Sequence, residues 1–108
     1  MKVAVTSENG RTICGHNGEC PGFIIYQLNN DQSVKFNYVQ LNESQALINL
    51  KGTLASYPEH PLHGIDAFVT QRLEEWLRRR LRSENIEVLQ TDETDALNAI
   101  NLLHLSFK

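Results

Sequence analysis

At 108 residues and 41% hydrophobic content, the chain is long enough for one buried core and too short for two, so a single domain over residues 1–108 is expected. A formal charge of -3 and a pI near 5.7 argue against a surface built for nucleic-acid phosphates or anionic lipid, and point to small ligands or proteins as partners. The opening Met1-Lys2-Val3-Ala4-Val5-Thr6 turns polar at Ser7-Glu8-Asn9, and no apolar run has the length of a signal-peptide core or a membrane span, so a cytoplasmic protein is expected.

Residues 2–6 form a short β-branched run that ends in Ser7-Glu8-Asn9-Gly10, which predicts a strand followed by a turn. Residues 23–28 are apolar nearly throughout and predict a second strand, and the polar run 29–32 reverses the chain. Val34, Phe36, Tyr38 and Leu41 then come close to alternating with polar residues, as a hairpin partner with one wet face would. Between residues 42 and 57 the apolar residues Ala46, Leu47, Ile48 and Leu50 fit neither period well, and a loop is expected. Pro58 to Gly64 predicts one short helical turn with glycine as its stop.

The compact run 65–70 suits a buried parallel strand. Leu73, Trp76, Leu77 and Leu81 mark one face of a helix from about 72 to 84, with Asn85 placed to end it in a left-handed conformation. Residues 86–89 predict a last strand, and Asp92 with Asp95 predicts the capped start of a helix carrying Leu97, Ile100 and Leu103. Strands alternating with helices in the second half imply right-handed crossovers and a mixed sheet with helices packed on it.

The chemistry-bearing stretch is Cys14-Gly15-His16-Asn17-Gly18-Glu19-Cys20-Pro21, where both cysteines and one of the four histidines fall within seven residues. Two thiols and an imidazole suit zinc, copper or an iron–sulfur species, and the two glycines allow the backbone to turn tightly enough to converge them. The C-x-H-x3-C spacing is not a standard zinc spacing, and half-buried free thiols in a turn are the bland alternative. His60 and His63 are three apart and supply further candidate donors, or else surface decoration, while His104 reads as structural. The run Arg78-Arg79-Arg80 follows Glu74 and Glu75 at i,i+4 spacing, which is a solvated, locally paired helix face rather than a nucleic-acid patch. No phosphate-binding glycine loop or serine-nucleophile elbow is present, so an enzyme is not expected.

Gly15-His16-x-Gly18-x-Cys20-x-x-Phe23 resembles the G-H-x-G-x-C-x-x-F loop of the dinitrogenase iron-molybdenum cofactor-binding family, the group of NifX, NafY and the C-terminal part of NifB. His60-Pro61-Leu62-x-Gly64-Ile65-Asp66 matches a second segment seen in some members, and Arg79-Arg80-Leu81 followed by Ile86 fits the helix-to-strand passage after it. The resemblance implies an α/β fold with a ribonuclease H-like motif: a mixed five-stranded sheet, its first hairpin antiparallel and its later strands parallel. It also implies non-catalytic binding or carriage of an iron–sulfur or iron-molybdenum type cluster, with a cofactor-assembly or recipient protein as a further partner. Carried over by position, His16 and Cys20 match the family's loop and His60 its second motif; Cys14 rests on the spacing argument alone. Thr70-Gln71-Arg72-Leu73 stands where many relatives carry glycines, which leaves as the alternative a regulatory or protein-interaction module that has lost cofactor binding.

Overall fold

The structure is a computed structural model that describes residues 1–13, 22–29, 34–41 and 52–106. Among these, the strands are β1 (Lys2–Thr6), β2 (Gly22–Leu28), β3 (Val34–Gln40), β4 (Ala67–Thr70) and β5 (Glu87–Gln90), and the helices are α1 (Glu75–Ser83) and α2 (Ala96–Ser106). They build one five-stranded sheet in the order β3-β2-β1-β4-β5. β2 is antiparallel to both β1 and β3, while β1, β4 and β5 run parallel. This is the mixed sheet of the sequence reading. The cysteine stretch 14–21, most of the 29–32 reversal and the 42–51 segment lie outside the described residues.

Strand alternation sorts the core into two layers. Val3, Val5, Ile24, Tyr26, Ala67 and Val69 face α2, which presents Ala96, Ala99 and Ile100. Ala4, Phe23 and Phe68 face the other way, toward Leu77 and Leu81 of α1 and toward Leu54, Leu62 and Ile65 of the crossover that enters β4. Phe23 and Phe68 meet with ring centroids 5.8 Å apart, and each such buried side chain contributes roughly 1.5–3 kcal/mol. The α2 layer is the thinner cover. One helix about 10 Å across cannot span outer strands roughly 19 Å apart, so Phe36 on β3 is 67% exposed and Leu89 on β5 is 37% exposed.

Local departures from the sequence reading have identifiable causes. α1 begins at Glu75 rather than near residue 72, because Glu74 is extended and Thr70 Oγ1 donates to the Arg72 carbonyl 3.1 Å away. Its end is as expected: Asn85 has φ 60°, its N–H reaches Arg82 O, and the Ile86 N–H reaches Leu81 O at 3.0 Å, the paired bonds of a Schellman stop. Residues 58–64 form successive turns, with His60 N–H donating to Tyr57 O and His63 N–H to His60 O, and not a helix. The stop at Gly64 holds, with φ 78°. α2 buries Ala96, Ala99 and Ile100, while Leu97 is 50% exposed; the side chain of Leu103 is outside the described set. Its cap uses Asp95, whose Oδ1 accepts the Leu97 N–H, and Glu93 takes the place expected of Asp92.

Candidate functional site

β1 and β4 run parallel, yet the chain leaves β1 toward β2 on one side and returns to β4 on the other. Their carboxyl ends therefore flank a topological switch point, where an open α/β sheet leaves a crevice. Both strands end in threonine. Thr6 Oγ1 donates to Thr70 Oγ1 at 3.0 Å, and with Ser7 these are fully buried polar residues at the carboxyl ends of the two strands. The stretch that carries Cys14, His16 and Cys20 starts after Ile13 and ends at Gly22, and both anchors sit at this edge.

The anchors are held by polar contacts. Ser7 N–H donates to Gly22 O at 3.0 Å, which joins the two ends of the loop directly. Ser7 Oγ accepts the Gly10 N–H at 2.9 Å, and Asn9 Oδ1 accepts the N–H groups of Arg11 and Thr12 at 2.8 and 2.9 Å. Tyr38 reaches over from β3 and donates its hydroxyl to Glu8 O at 2.9 Å. It can do so because residue 22 is glycine: a Cβ there would collide with the Tyr38 hydroxyl and with Ser7 O. On the entry side, Thr12 pairs with Asp95; Ile13 N–H donates to Thr94 O, and Ala96 N–H to Arg11 O.

The neighbouring loops are stitched to the same edge. Gln71 Nε2 donates to Glu93 O and Gln90 Nε2 to Gln71 O, at 3.0 and 3.1 Å. Glu93 is held below the ordinary glutamate range, first by the Asp95 N–H and then by the Asn98 amide. Burial, with the Asp95 charge adding to it, pushes the Tyr26 phenol up. Arg11 and Arg72 are exposed at this edge. The arginines of α1 are locally engaged: Arg79 pairs with Glu75 at 3.2 Å, and Arg78 reaches Gln90. Glu74 instead accepts the indole N–H of Trp76.

His60 and His63 sit elsewhere. Lys2, at the amino end of β1, donates its Nζ to His63 O at 2.6 Å, and its N–H to Asp66 Oδ2 at 2.8 Å. This places the turn near the opposite end of β1 from Thr6, roughly 13 Å along the strand. The two rings also differ. His60 is buried, and its Nδ1 accepts the Leu62 N–H at 3.0 Å, so in the neutral ring the proton is on Nε2. The His63 Nδ1 lies 3.0 Å from Leu54 O and must donate to it, which leaves the lone pair on Nε2. An imidazole fixed through one N–H by a carbonyl is oriented as metal-ligating histidines are, so His63 is the better donor of the two. Among the described residues no group of three or more His, Cys, Asp or Glu side chains could hold a metal ion. Cys14, His16 and Cys20 are outside that set.

The turn at Ser7–Gly10 was expected, but the side-chain contacts of Ser7 and Asn9 within it, the threonine pair, and the roles of Gly22 and Tyr38 were not. Their signals were modest: two strands ending in threonine, Ser-x-Asn-Gly after the first strand, and a glycine opening the second.

Strand order and crossovers define a mixed five-stranded α/β domain of the ribonuclease H-like class, with a topological switch point between β1 and β4. Residues 1–104 match the family model described as dinitrogenase iron-molybdenum cofactor, and the chain belongs to that family. No curated protein sequence matches it. Among solved structures it is similar to a Methanocaldococcus jannaschii protein provisionally named a dinitrogenase, with a TM-score of 0.71 and 18% identity over 98% of this chain and 89% of that one. A protein called PH0822 gives 0.74 and 17% over 98% and 92%. A Thermotoga protein provisionally named NifB gives 0.61 and 15% over 94% and 85%. At these identities the structural likeness speaks for the fold.

Proposed function

We propose that this chain is a single-domain, non-catalytic, cytoplasmic protein that binds or carries an iron–sulfur or molybdenum-containing cluster for a cofactor-assembly or recipient protein. Cys14, His16 and Cys20 are its primary donors. The observation that carries this reading is that the Cys-x-His-x3-Cys stretch leaves from and returns to the switch-point edge of a dinitrogenase cofactor-family fold. Two thiolates and an imidazole are soft donors suited to iron and sulfide, and exposed Arg11 and Arg72 bring positive charge to the edge where an anionic cluster would sit. Three donors on a loop leave positions for a recipient protein to fill, which suits cargo that must be handed on. The turn that carries the second-motif histidines His60 and His63 packs at the opposite end of β1, so neither is among the donors proposed at this edge.

Anaerobic reconstitution of the full chain with ferrous iron and sulfide is expected to give visible sulfur-to-iron charge-transfer absorbance and bound iron, both lost when Cys14 and Cys20 are changed together to alanine. Wild-type protein that stays colourless and iron-free, or a double variant that loads as well as wild type, overturns the proposal.

A further inference from the structure

We infer that the outer edge of β3 is a docking surface for a second copy of this chain, with β3 pairing antiparallel to β3 of that copy about Asn37. The direction of each backbone group on β3 follows from the hydrogen bonds of the strands beside it. Met1 and Leu28 exchange both N–H···O bonds, and Ser7 N–H donates to Gly22 O at the other end of the same ladder. Antiparallel ladders alternate, so residues 22, 24, 26 and 28 aim their backbone groups at β1, and residues 23, 25 and 27 aim theirs at β3. The β3 partners of those three are Val39, Asn37 and Lys35. The N–H and C=O groups of Val34, Phe36, Tyr38 and Gln40 therefore face away from the sheet, and β3 ends the strand order with no neighbour on that side among the described residues.

Open edges are ordinarily protected by shortness, proline, a bulge or several charges. β3 runs seven residues in unbroken register without proline, and Lys35 is its one charged residue. The opposite edge, β5, is four residues long and begins with Glu87. A second copy is the occupant because the outward row of β3 is complementary to itself. A two-fold axis through Asn37 sets Phe36 against Tyr38, and Val34 against Gln40, of the other copy, so all four outward residues fall in hydrogen-bonded pairs. Phe36 and Tyr38 share one face of the strand. The Phe36 ring, 67% exposed and 5.9 Å from that of Tyr26, thereby gains Tyr38 of the second copy as another aromatic neighbour. Lys35 falls opposite Val39 and roughly 14 Å from Lys35 of the other copy, so no like charges oppose each other. β3 runs parallel to β1, so in this pair the two β1–β4 switch points face opposite ways and stay separate.

The test is the mass of the full chain in solution. Light scattering across a concentration series is expected to show it rising from 12.3 kDa toward twice that value. Phe36→Lys is expected to raise the dissociation constant by about two- to thirtyfold, the factor of two symmetry-related cross-strand pairs, while the chain stays folded. Phe36→Pro removes an outward N–H and no bond to β2, and is expected to abolish association. Register is read separately by Asn37→Cys in a background of Cys14→Ser and Cys20→Ser. Diamide is expected to join two such copies, because a non-hydrogen-bonded pair brings its Cα atoms to about 4.5 Å, within disulfide reach. Lys35→Cys in the same background is expected to stay uncoupled. A chain that remains monomeric throughout the series, association untouched by both Phe36 variants, or coupling through Lys35→Cys in place of Asn37→Cys overturns the inference. Slow exchange of the Phe36 and Tyr38 amides in a strictly monomeric chain also overturns it, by assigning the edge to the chain's own residues.

Discussion

The two ends of β1 are built in opposite ways. At the amino end, the turn over residues 57–65 is held by backbone bonds between near neighbours and sealed by Leu54, Leu62 and Ile65, all buried against α1 and Phe68. At the carboxyl end, the base of the cysteine stretch is held by hydroxyl, amide and carbonyl groups over a polar floor. Apolar burial fixes position at a cost of several kcal/mol per side chain lost, whereas each hydrogen bond contributes about 1 kcal/mol net. The amino-end turn is therefore held by apolar burial, and the carboxyl-end base by polar contacts of smaller individual weight.

That contrast can be broken most severely at Leu62, which is fully buried. Leu62→Ala should lower unfolding free energy by about 2–5 kcal/mol in denaturant titration, yet leave the thiol reactivity of the folded protein unchanged. Next in size is Gly22→Ala. Its Cβ meets both the Tyr38 hydroxyl and a backbone carbonyl, so a loss of about 1–3 kcal/mol is expected. Adding Tyr38→Phe should restore only part of it, since Ser7 O does not move with the phenol; full restoration would show that the two ends of the loop are less closely joined than described here. The smallest effect concerns Glu93, whose carboxyl is held low by the Asp95 N–H and the Asn98 amide. A folded-state pKa below the unfolded one gives stability that is present above the ordinary glutamate value of roughly 4.3 and lost as pH falls through the lower folded value. Glu93→Gln should thus flatten the acid side of a melting-temperature profile and leave neutral pH little changed.

Much of the scaffold was legible because large apolar residues announce themselves by period. Phe23 to Leu28, the alternation about Phe36, and Leu73, Trp76, Leu77 and Leu81 each placed an element on the correct side of the sheet or helix. α2 was located and Ile100 lies on its buried face as expected, but Leu97 does not: the helix lies against Val3, Val5 and Val69, where Ala96 and Ala99 allow close approach and a reading by bulky residues overlooks them. The turn over 58–64 misled for a related reason, since Pro58 and Gly64 suit a helix end but buried Leu62 and the His60 ring set the backbone. The cysteine stretch lies outside the described residues, so its chemistry stands as a proposal, while the strand order supplies the edge from which it departs. The supports under it were not legible, because their bonds join residues as far apart as Glu8 and Tyr38, or Ile13 and Thr94.

Pairing of residues 11–13 with residues 94–96 makes the loop's entrance and the start of α2 a single fastened unit, closed on the far side by Ser7 and Gly22. What lies between Ile13 and Gly22 is in this sense an interchangeable cassette. Because both of its ends are tied to described elements, substitutions within it are expected to leave every strand of the sheet in register.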